Sequence, residues 1–404
     1  QGDVGSGKTI VAMLAMLNAV EEGRQAVLMA PTEILARQHF QSLGPLAEAA
    51  GIRMEVLTGR DKGKPREALL ADLESGEVDI LVGTHAVFQE TVTFKDLAFA
   101  VIDEQHRFGV HQRLALSAKA TEAPPDLLVM TATPIPRTLT LTAYGDMEVS
   151  RLDEKPPGRA PVDTRALPLE RLDQVADSIR RAVSDGARVY WVCPLVEESD
   201  LVDLAAAEER YAHLSGMFGD RVGLIHGRLK GPQKDAVMAD FSEGKLDVLV
   251  ATTVIEVGVD VPEATVMVIE HAERFGLAQL HQLRGRIGRG NRPGTCLLLY
   301  NNPMGETAKA RIEIMRETED GFVIAEKDLE LRGAGEVLGT KQSGLPAFHL
   351  ADLSVHADLL AAARDDAKLI LDLEPELDGK RGPALRILLY LFERDAAVSY
   401  LRSG

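Results

Sequence analysis

The chain has 404 residues and carries 62 Asp and Glu against 45 Lys and Arg, a formal net charge of −17. Hydrophobic residues make up 45% and aromatics only 4%, a balance that excludes a disordered chain and leaves room for two or three packed domains. The acidic balance argues against indiscriminate attraction to a polyanion, so any nucleic-acid contact must come from local motifs.

The chain opens on Gln1 and runs at once into Gly2-Asp3-Val4-Gly5-Ser6-Gly7-Lys8-Thr9, a complete P-loop pattern. Gly2, Gly5 and Gly7 let backbone N–H groups turn inward around phosphate oxygens, with Ser6 among them, and the following helix adds its dipole. Lys8 is expected to neutralise the β- and γ-phosphates of ATP, and Thr9 to offer its hydroxyl to Mg²⁺. A glycine-rich turn at a helix start is the blander reading and a much weaker one. A P-loop follows a strand, so the expectation is that an N-terminal part of the protein precedes Gln1. The apolar run Ile10–Leu17 is too short to cross a bilayer, and nothing resembles an export signal.

From there short apolar runs alternate with helical patterns, the signature of a parallel sheet covered on both faces. Strands are expected at Ala26–Ala30, Asp79–Gly83, Ala98–Ile102 and Leu127–Met130, with helices at Thr9–Glu22 and Glu33–Ala50. The run Leu97–Ile102 ends in Asp103 and Glu104, which a strand end aims at the crevice where ligands bind in open α/β sheets. Asp103 is expected to hold Mg²⁺ and Glu104 to orient the attacking water. Thr131 and Thr133 follow the next strand. They are either a relay that passes the γ-phosphate state to a neighbouring lobe or a helix cap before Pro134.

A proline-rich segment, Lys155–Pro161, reads as a linker, assigned to residues 154–163 between a first lobe (1–153) and a second (164–303). In the second lobe strands are expected at Arg188–Cys193, Val222–Ile225, Val248–Ala251, Val266–Ile269 and Cys296–Tyr300. Cys193 and Cys296 sit inside such runs without metal-ligand spacing, as small core residues do, and the lack of a disulfide framework suits a reducing cytoplasm. Thr252 and Asp260 lie in the stretch after Val248–Ala251. Thr252 could grip a nucleic-acid phosphate or sugar, and Asp260 a ribose or an arginine, though ordinary strand-to-loop packing also accounts for them. In Gln282-Leu283-Arg284-Gly285-Arg286-Ile287-Gly288-Arg289, Arg286 and Arg289 are three apart and would share one helix face. Arginines delivered from a second lobe would stabilise charge on the γ-phosphoryl group. After about Asn302 the pattern becomes helical, broken by a glycine-rich stretch at Arg332–Gly344.

In order, GDVGSGKT, APTEILARQH (30–39), GTHA (83–86), DEQH (103–106), TATPIPRT (131–138), HGRL (226–229), ATTVIEVGVD (251–260) and QLRGRIGRG (282–290) resemble a superfamily-two helicase core. The Asp-Glu-Ala-Asp and Ser-Ala-Thr landmarks of DEAD-box RNA helicases are replaced here. Within the superfamily the chain resembles the RecG family of branched-DNA translocases. DEQHRFG and TATPIPRTL are also similar to the transcription–repair coupling factor Mfd. Gln105 and the segment 320–353, with GTKQSG in it, lie closer to RecG, as does the ending LLYLFERDAAVSYLRSG.

The resemblance implies two tandem RecA-like P-loop lobes with parallel sheets, followed by a small, mostly helical translocation module over 304–404. It implies Gln282 beside Glu104, Asp103, Arg286 and Arg289 in the catalytic set. It also implies DNA contacts at Thr84, His85 and Thr252, hairpin arginines at Arg311 and Arg332, and Gln342 in a DNA-facing loop. The implied function is ATP- and Mg²⁺-dependent movement on branched double-stranded DNA (fork reversal, Holliday junction branch migration) in repair and recombination. The implied protein is a monomer in the bacterial cytoplasm, at the nucleoid, with no membrane partner and with a single-strand-binding protein as a possible associate. An N-terminal wedge domain belongs to that family, and without it the expectation is low DNA-stimulated ATP turnover and little fork unwinding. The rivals are an Mfd-like motor that displaces RNA polymerase and a nucleotide-gated DNA-binding module without turnover.

Overall fold

The structure is a computed structural model, and it describes residues 1–104, 124–132, 148–154, 160–194, 200–252, 261–290, 292–337 and 353–391. The chain divides into two compact units, one made of residues 1–134 and 151–324 and the other of residues 135–150 and 325–404.

Within the first unit, the leading half alternates helix and strand as α1 (Lys8–Glu21), β1 (Gln25–Met29), α2 (Glu33–Ala49), β2 (Met54–Leu57), α3 (Lys64–Ser75), β3 (Ile80–Gly83), β4 (Leu97–Asp103) and β5 (Asp126–Met130). The strands form a wholly parallel sheet in the order β2-β3-β1-β4-β5. β1 is buried along its whole length because both faces are covered. Ala26 and Leu28 face a core with Met13 and Met16 of α1 and Leu43 of α2. Val27 and Met29 face the opposite core with Leu73 of α3, Leu81 and Ile102.

The trailing half contains β6 (Val162–Pro168), α4 (Leu172–Ser184), β7 (Arg188–Val192), α5 (Asp200–Phe218), β8 (Val222–Ile225), α6 (Gly231–Ser242), β9 (Val248–Ala251), β10 (Ala264–Ile269), α7 (Leu277–Arg284) and β11 (Gly294–Tyr300). Its six strands are again all parallel, ordered β6-β11-β10-β7-β9-β8. Trp191, Val250, Val268 and Leu299 build its core against Val175 and Ile179 of α4 and Leu214 of α5. Cys193 and Cys296 are buried free thiols, and burial raises both above the usual thiol range.

Two strands escaped the sequence pattern, for related reasons. β2 and β6 each lie at one edge of their sheet, where no continuous apolar run is needed, and MEVL and VDTRALP both place charged residues inside the strand. β6 reads VDTRALP, with Val162 buried, Asp163 and Arg165 exposed and the rest half-buried. The expected linker 154–163 therefore ends inside a strand, since Val162 and Asp163 pair with Gly294 and Thr295. Residues 155–159 lie outside the described residues.

After β11 the chain is helical, as α8 (Glu306–Glu317), α9 (Gly321–Val337), α10 (Leu353–Leu373) and α11 (Gly382–Leu391). In the second unit, Arg364 and Lys368 of α10 pair with Glu148. No helix among the described residues is long and apolar enough to cross a membrane.

Candidate functional site

The phosphate loop has the local geometry its glycines allow. Gly5 and Gly7 adopt φ of 78° and 94°, in the left-handed region, and Gly7 caps the start of α1. Ser6 N–H donates to the Asp3 carbonyl at 3.1 Å, which closes the loop on itself. Gly2 has no room for a side chain, since a Cβ there would lie 2.5 Å from Ser6 Oγ. Lys8 Nζ donates to the carbonyls of Gly2 and Asp3, both at 2.7 Å.

β4 delivers Asp103 and Glu104 beside this loop. Glu104 sits at φ 54°, a left-handed conformation costly for a side-chain-bearing residue and concentrated at functional sites. Burial raises its carboxyl from 4.5 to about 6, helped by Asp103 and opposed by Lys8, Arg286 and a backbone hydrogen bond from Ala132. Burial in turn lowers Lys8, against the opposing charges of Glu104, Asp103 and Asp3. Asp103 Oδ2 meets His39 Nε2 at 2.8 Å, so the last residue of the APTEILARQH segment fixes the orientation of this carboxylate.

The second lobe completes the site. One cleft of about 420 Å³ is lined by Lys8 and Thr9 of α1, His39 of α2, Asp103 and Glu104 after β4, and both Arg286 and Arg289. The two arginines do not share a helix face as their spacing suggested. α7 stops at Arg284, and Gly288 at φ 68° turns the chain away from helical geometry. Both side chains reach the cleft from this irregular segment, and Arg289 Nε donates back to the Gly285 carbonyl at 3.1 Å. The lobes also meet where Arg60, beyond β2, donates to Asp235 of α6 at 2.5 Å and pairs with Glu33 at 2.8 Å.

The residues present suit a magnesium nucleotide. Ser6 Oγ, in the phosphate loop, is buried with no hydrogen-bond partner among the described residues. Thr9 and Asp103 supply the oxygen donors a hard cation takes, and Lys8, Arg286 and Arg289 supply positive charge for phosphates.

Other candidates are placed as follows. Thr131 is buried at the end of β5, beside the Ala132 backbone that meets Glu104. Gln282 is buried on α7 and is not among the residues lining the cleft. Thr84 ends β3, half-buried, with His85 exposed next to it. Thr252 ends β9, its buried hydroxyl without a partner among the described residues. Thr84 and Thr252 thus occupy carboxyl ends of parallel strands, but outside the cleft around Lys8. Arg311 of α8 donates to the Phe275 carbonyl at 2.8 Å, which ties that helix to the second lobe. Thr133, Asp260 and Gln342 lie outside the described residues, as does the side chain of Arg332, whose backbone belongs to α9.

Among the residues in or beside this site that sequence reasoning did not single out are Asp3, His39 and His281. A histidine or aspartate inside a motif has no periodicity to betray it. Only the fold reveals that His281 Nε2 of the second lobe lies 3.1 Å from Asp3 Oδ1 of the phosphate loop.

Comparison with known proteins agrees with this geometry. Residues 1–142 match the DEAD/DEAH box helicase family, residues 170–291 the helicase conserved C-terminal domain, and residues 318–388 the family described as ATP-dependent DNA helicase RecG, domain 3, C-terminal. The ATP-dependent DNA helicase RecG of Escherichia coli O157:H7 is 54% identical over 357 residues, covering 87% of this chain and 52% of the relative. That of Bacillus subtilis (strain 168) is 51% identical over 369 residues, covering 91% and 54%. The chain thus spans about half the length of the curated relatives it matches. A solved structure of RecG bound to a three-way DNA junction superposes with a TM-score of 0.72 at 45% identity, over 89% of this chain and 46% of that one. S. cerevisiae Dbp5 bound to RNA and ADP BeF3 has a TM-score of 0.59 at 18% identity, over 82% of each chain, a likeness of fold alone. With two P-loop-type lobes around one cleft, a RecG-specific segment after them and relatives about half identical along nearly its whole length, the chain belongs to the RecG family.

Proposed function

We propose that this chain is an ATP-driven translocase acting on branched duplex DNA, with ATP hydrolysed in the cleft between its two lobes. The observation that carries the reading is the convergence of Lys8, Thr9, Asp103, Glu104, Arg286 and Arg289 on one cavity. RecG relatives named as ATP-dependent DNA helicases and a relative solved on a three-way junction support the substrate class.

In this mechanism the loop N–H groups around Gly5 and Gly7 cradle the phosphates, and Lys8 exchanges its backbone carbonyls for β- and γ-phosphate oxygens. Thr9 and Asp103, the latter oriented by His39, would hold Mg²⁺, which would supply charge neutralisation at the phosphates. Glu104 orients the attacking water, held by its strained backbone and by Ala132. Arg286 and Arg289 stabilise the γ-phosphoryl charge from the other lobe, an effect worth roughly 10³–10⁵ in rate. A hydrolytic cycle that closes and opens the cleft moves one lobe against the other. Thr131 and Thr133 relay the γ-phosphate state. Thr84, His85 and Thr252 contact DNA, Arg311 and Arg332 brace the helical module, and Gln342 meets the duplex. Branch migration exchanges old base pairs for new ones at about 1.4 kcal/mol per stacking step, so the motor supplies direction rather than a large net energy. The setting is DNA repair and recombination (fork reversal and Holliday junction migration) in the bacterial cytoplasm, by a monomer that a single-strand-binding protein could recruit.

An Mfd-like motor shares the engine, but the match of residues 318–388 to a RecG-specific family favours the branched-DNA reading. A binding module without turnover has no use for Glu104 together with two cross-cleft arginines. ATP turnover measured on forked, linear duplex and single-stranded DNA tests the proposal. Forked DNA should stimulate most, and equal stimulation by all three would remove the branched-substrate assignment.

A further inference from the structure

The phosphate loop also makes contacts through Asp3, which is not among the residues lining the cleft. Three groups meet on it. Its carbonyl takes Lys8 Nζ at 2.7 Å. Its Oδ1 lies 3.1 Å from His281 Nε2 of α7, and its Oδ2 faces the Gly321 N–H, first residue of α9, at 3.5 Å.

The contacts continue beyond His281. Arg284 Nη2 lies 3.2 Å from His281 Nδ1. A guanidinium only donates, so Nδ1 is the acceptor, which leaves the ring proton on Nε2 to be donated to Asp3. Arg284 is only 3% exposed. Its Nη1 donates to the carbonyls of Met315 at 2.7 Å and Thr318 at 2.9 Å, where α8 ends. A buried cation is costly unless its donors are satisfied and an opposite charge is near, so Arg284 is held firmly between the α8 terminus and the histidine that leads to Asp3.

A second line reaches the same turn. Gly2 bridges Leu152 in parallel, and Leu152 N–H donates to the Gln1 carbonyl at 2.8 Å. The neighbouring Arg151 guanidinium stacks 3.9 Å over the ring of Phe322 in α9. The turn between α8 and α9 is thereby gripped from two sides by residues that flank the cradle, one route passing through the second lobe and one not.

We propose that the 318–322 turn senses the nucleotide directly through Asp3 and Arg151, with Asp3, His281 and Arg284 acting as positioning residues. When a phosphate takes Lys8 Nζ from the Gly2 and Asp3 carbonyls, the backbone that aims the Asp3 carboxylate re-sets. The hydrogen bonds to His281 and Gly321 carry that change to the start of α9. This deepens the motor reading and rests on it, because it specifies which atoms transmit the cradle's state to the helical module.

The test is hydrogen–deuterium exchange of the whole chain with Mg²⁺ and a β,γ-imido analogue of ATP as the probe. In the wild type, peptides covering 2–9 and those covering 315–324 should both exchange more slowly with the probe, the latter by at least about threefold. In His281→Leu, protection at 2–9 should persist while the response at 315–324 falls to less than about half. His281→Asn, which keeps a donor, should restore part of it. Arg151→Ala, at an exposed position, should weaken the response on its own, and combination with His281→Leu should abolish it. A full response at 315–324 in the double variant, or protection at 2–9 without any response at 315–324 in the wild type, overturns the proposal. Absence of protection at 2–9 in the wild type would instead remove the ATP site itself, and the sensor with it.

Discussion

Gly285, at the end of α7, packs so tightly on Val4 of the phosphate loop that a Cβ on the glycine would lie 2.9 Å from the valine Cβ. No other residue fits there without moving one lobe. The cleft that holds Lys8 opposite Arg286 and Arg289 is therefore set partly by a missing side chain. Gly285→Ala should force a shift costing about 1–3 kcal/mol, spent on the lobe contact. ATP turnover should fall about tenfold or more while the two sheets stay folded, which circular dichroism and steady-state kinetics can check. Unchanged turnover would mean the packing does not hold the arginines in place.

Arg286 and Arg289 differ in their neighbours. Arg286 lies close enough to Glu104 to lower its pKa, whereas Arg289 acts on Lys8. Each change to Ala should cut kcat by about 10³-fold or more, and nucleotide affinity, measured by equilibrium binding, should change far less. A loss confined to binding would assign the arginines to nucleotide capture, not to the chemical step.

Glu104 sets a pH dependence whose sign follows from its raised pKa. The carboxylate is the form that orients water, so kcat/KM for ATP should fall about tenfold per pH unit below about 6 and be level above it. Stability runs the other way. A carboxyl raised from 4.5 to about 6 holds its proton more tightly in the folded state, so folding loses about 2 kcal/mol as pH rises through that interval. Glu104→Gln should therefore leave the melting temperature unchanged or raise it at pH 8, while abolishing turnover. A lowered melting temperature at pH 8 would show that the ionised carboxylate is stabilised after all.

Arg311 anchors α8 to the second lobe through one carbonyl, that of Phe275. Arg311→Ala should leave ATP turnover without DNA nearly intact and reduce DNA-stimulated turnover by about tenfold, since the losses fall on transmission. Equal losses with and without DNA would place Arg311 in the folding of the lobe.

Much of this architecture was legible in the chain. The P-loop glycines, the Asp103–Glu104 pair at a strand end and the buried runs around Val27, Val250 and Val268 announce themselves, because each meets a backbone requirement that few residue types satisfy. The strands β2 and β6 did not, since MEVL and VDTRALP carry charged residues that an edge tolerates and that break any continuous apolar run. Helical spacing misassigned the segment that carries Arg286 and Arg289, where Gly288 at φ 68° ends any helix before the second arginine. The links of His39 to Asp103 and of His281 to Asp3 bridge 64 and 278 positions of sequence. Such pairs are set by sheet order and lobe packing, not by local pattern, and only the folded chain brings them together.

The central claim is that Lys8 and the cross-lobe arginines act as one site. Steady-state ATP turnover on a three-way DNA junction should be compared for the wild type, Lys8→Ala, Arg286→Ala and the double variant. Groups that serve a single transition state are non-additive, so each single change should abolish nearly all turnover and the double change should cost little more. Arg286→Ala turning over at the wild-type rate, or Lys8→Ala retaining substantial activity, would contradict the account.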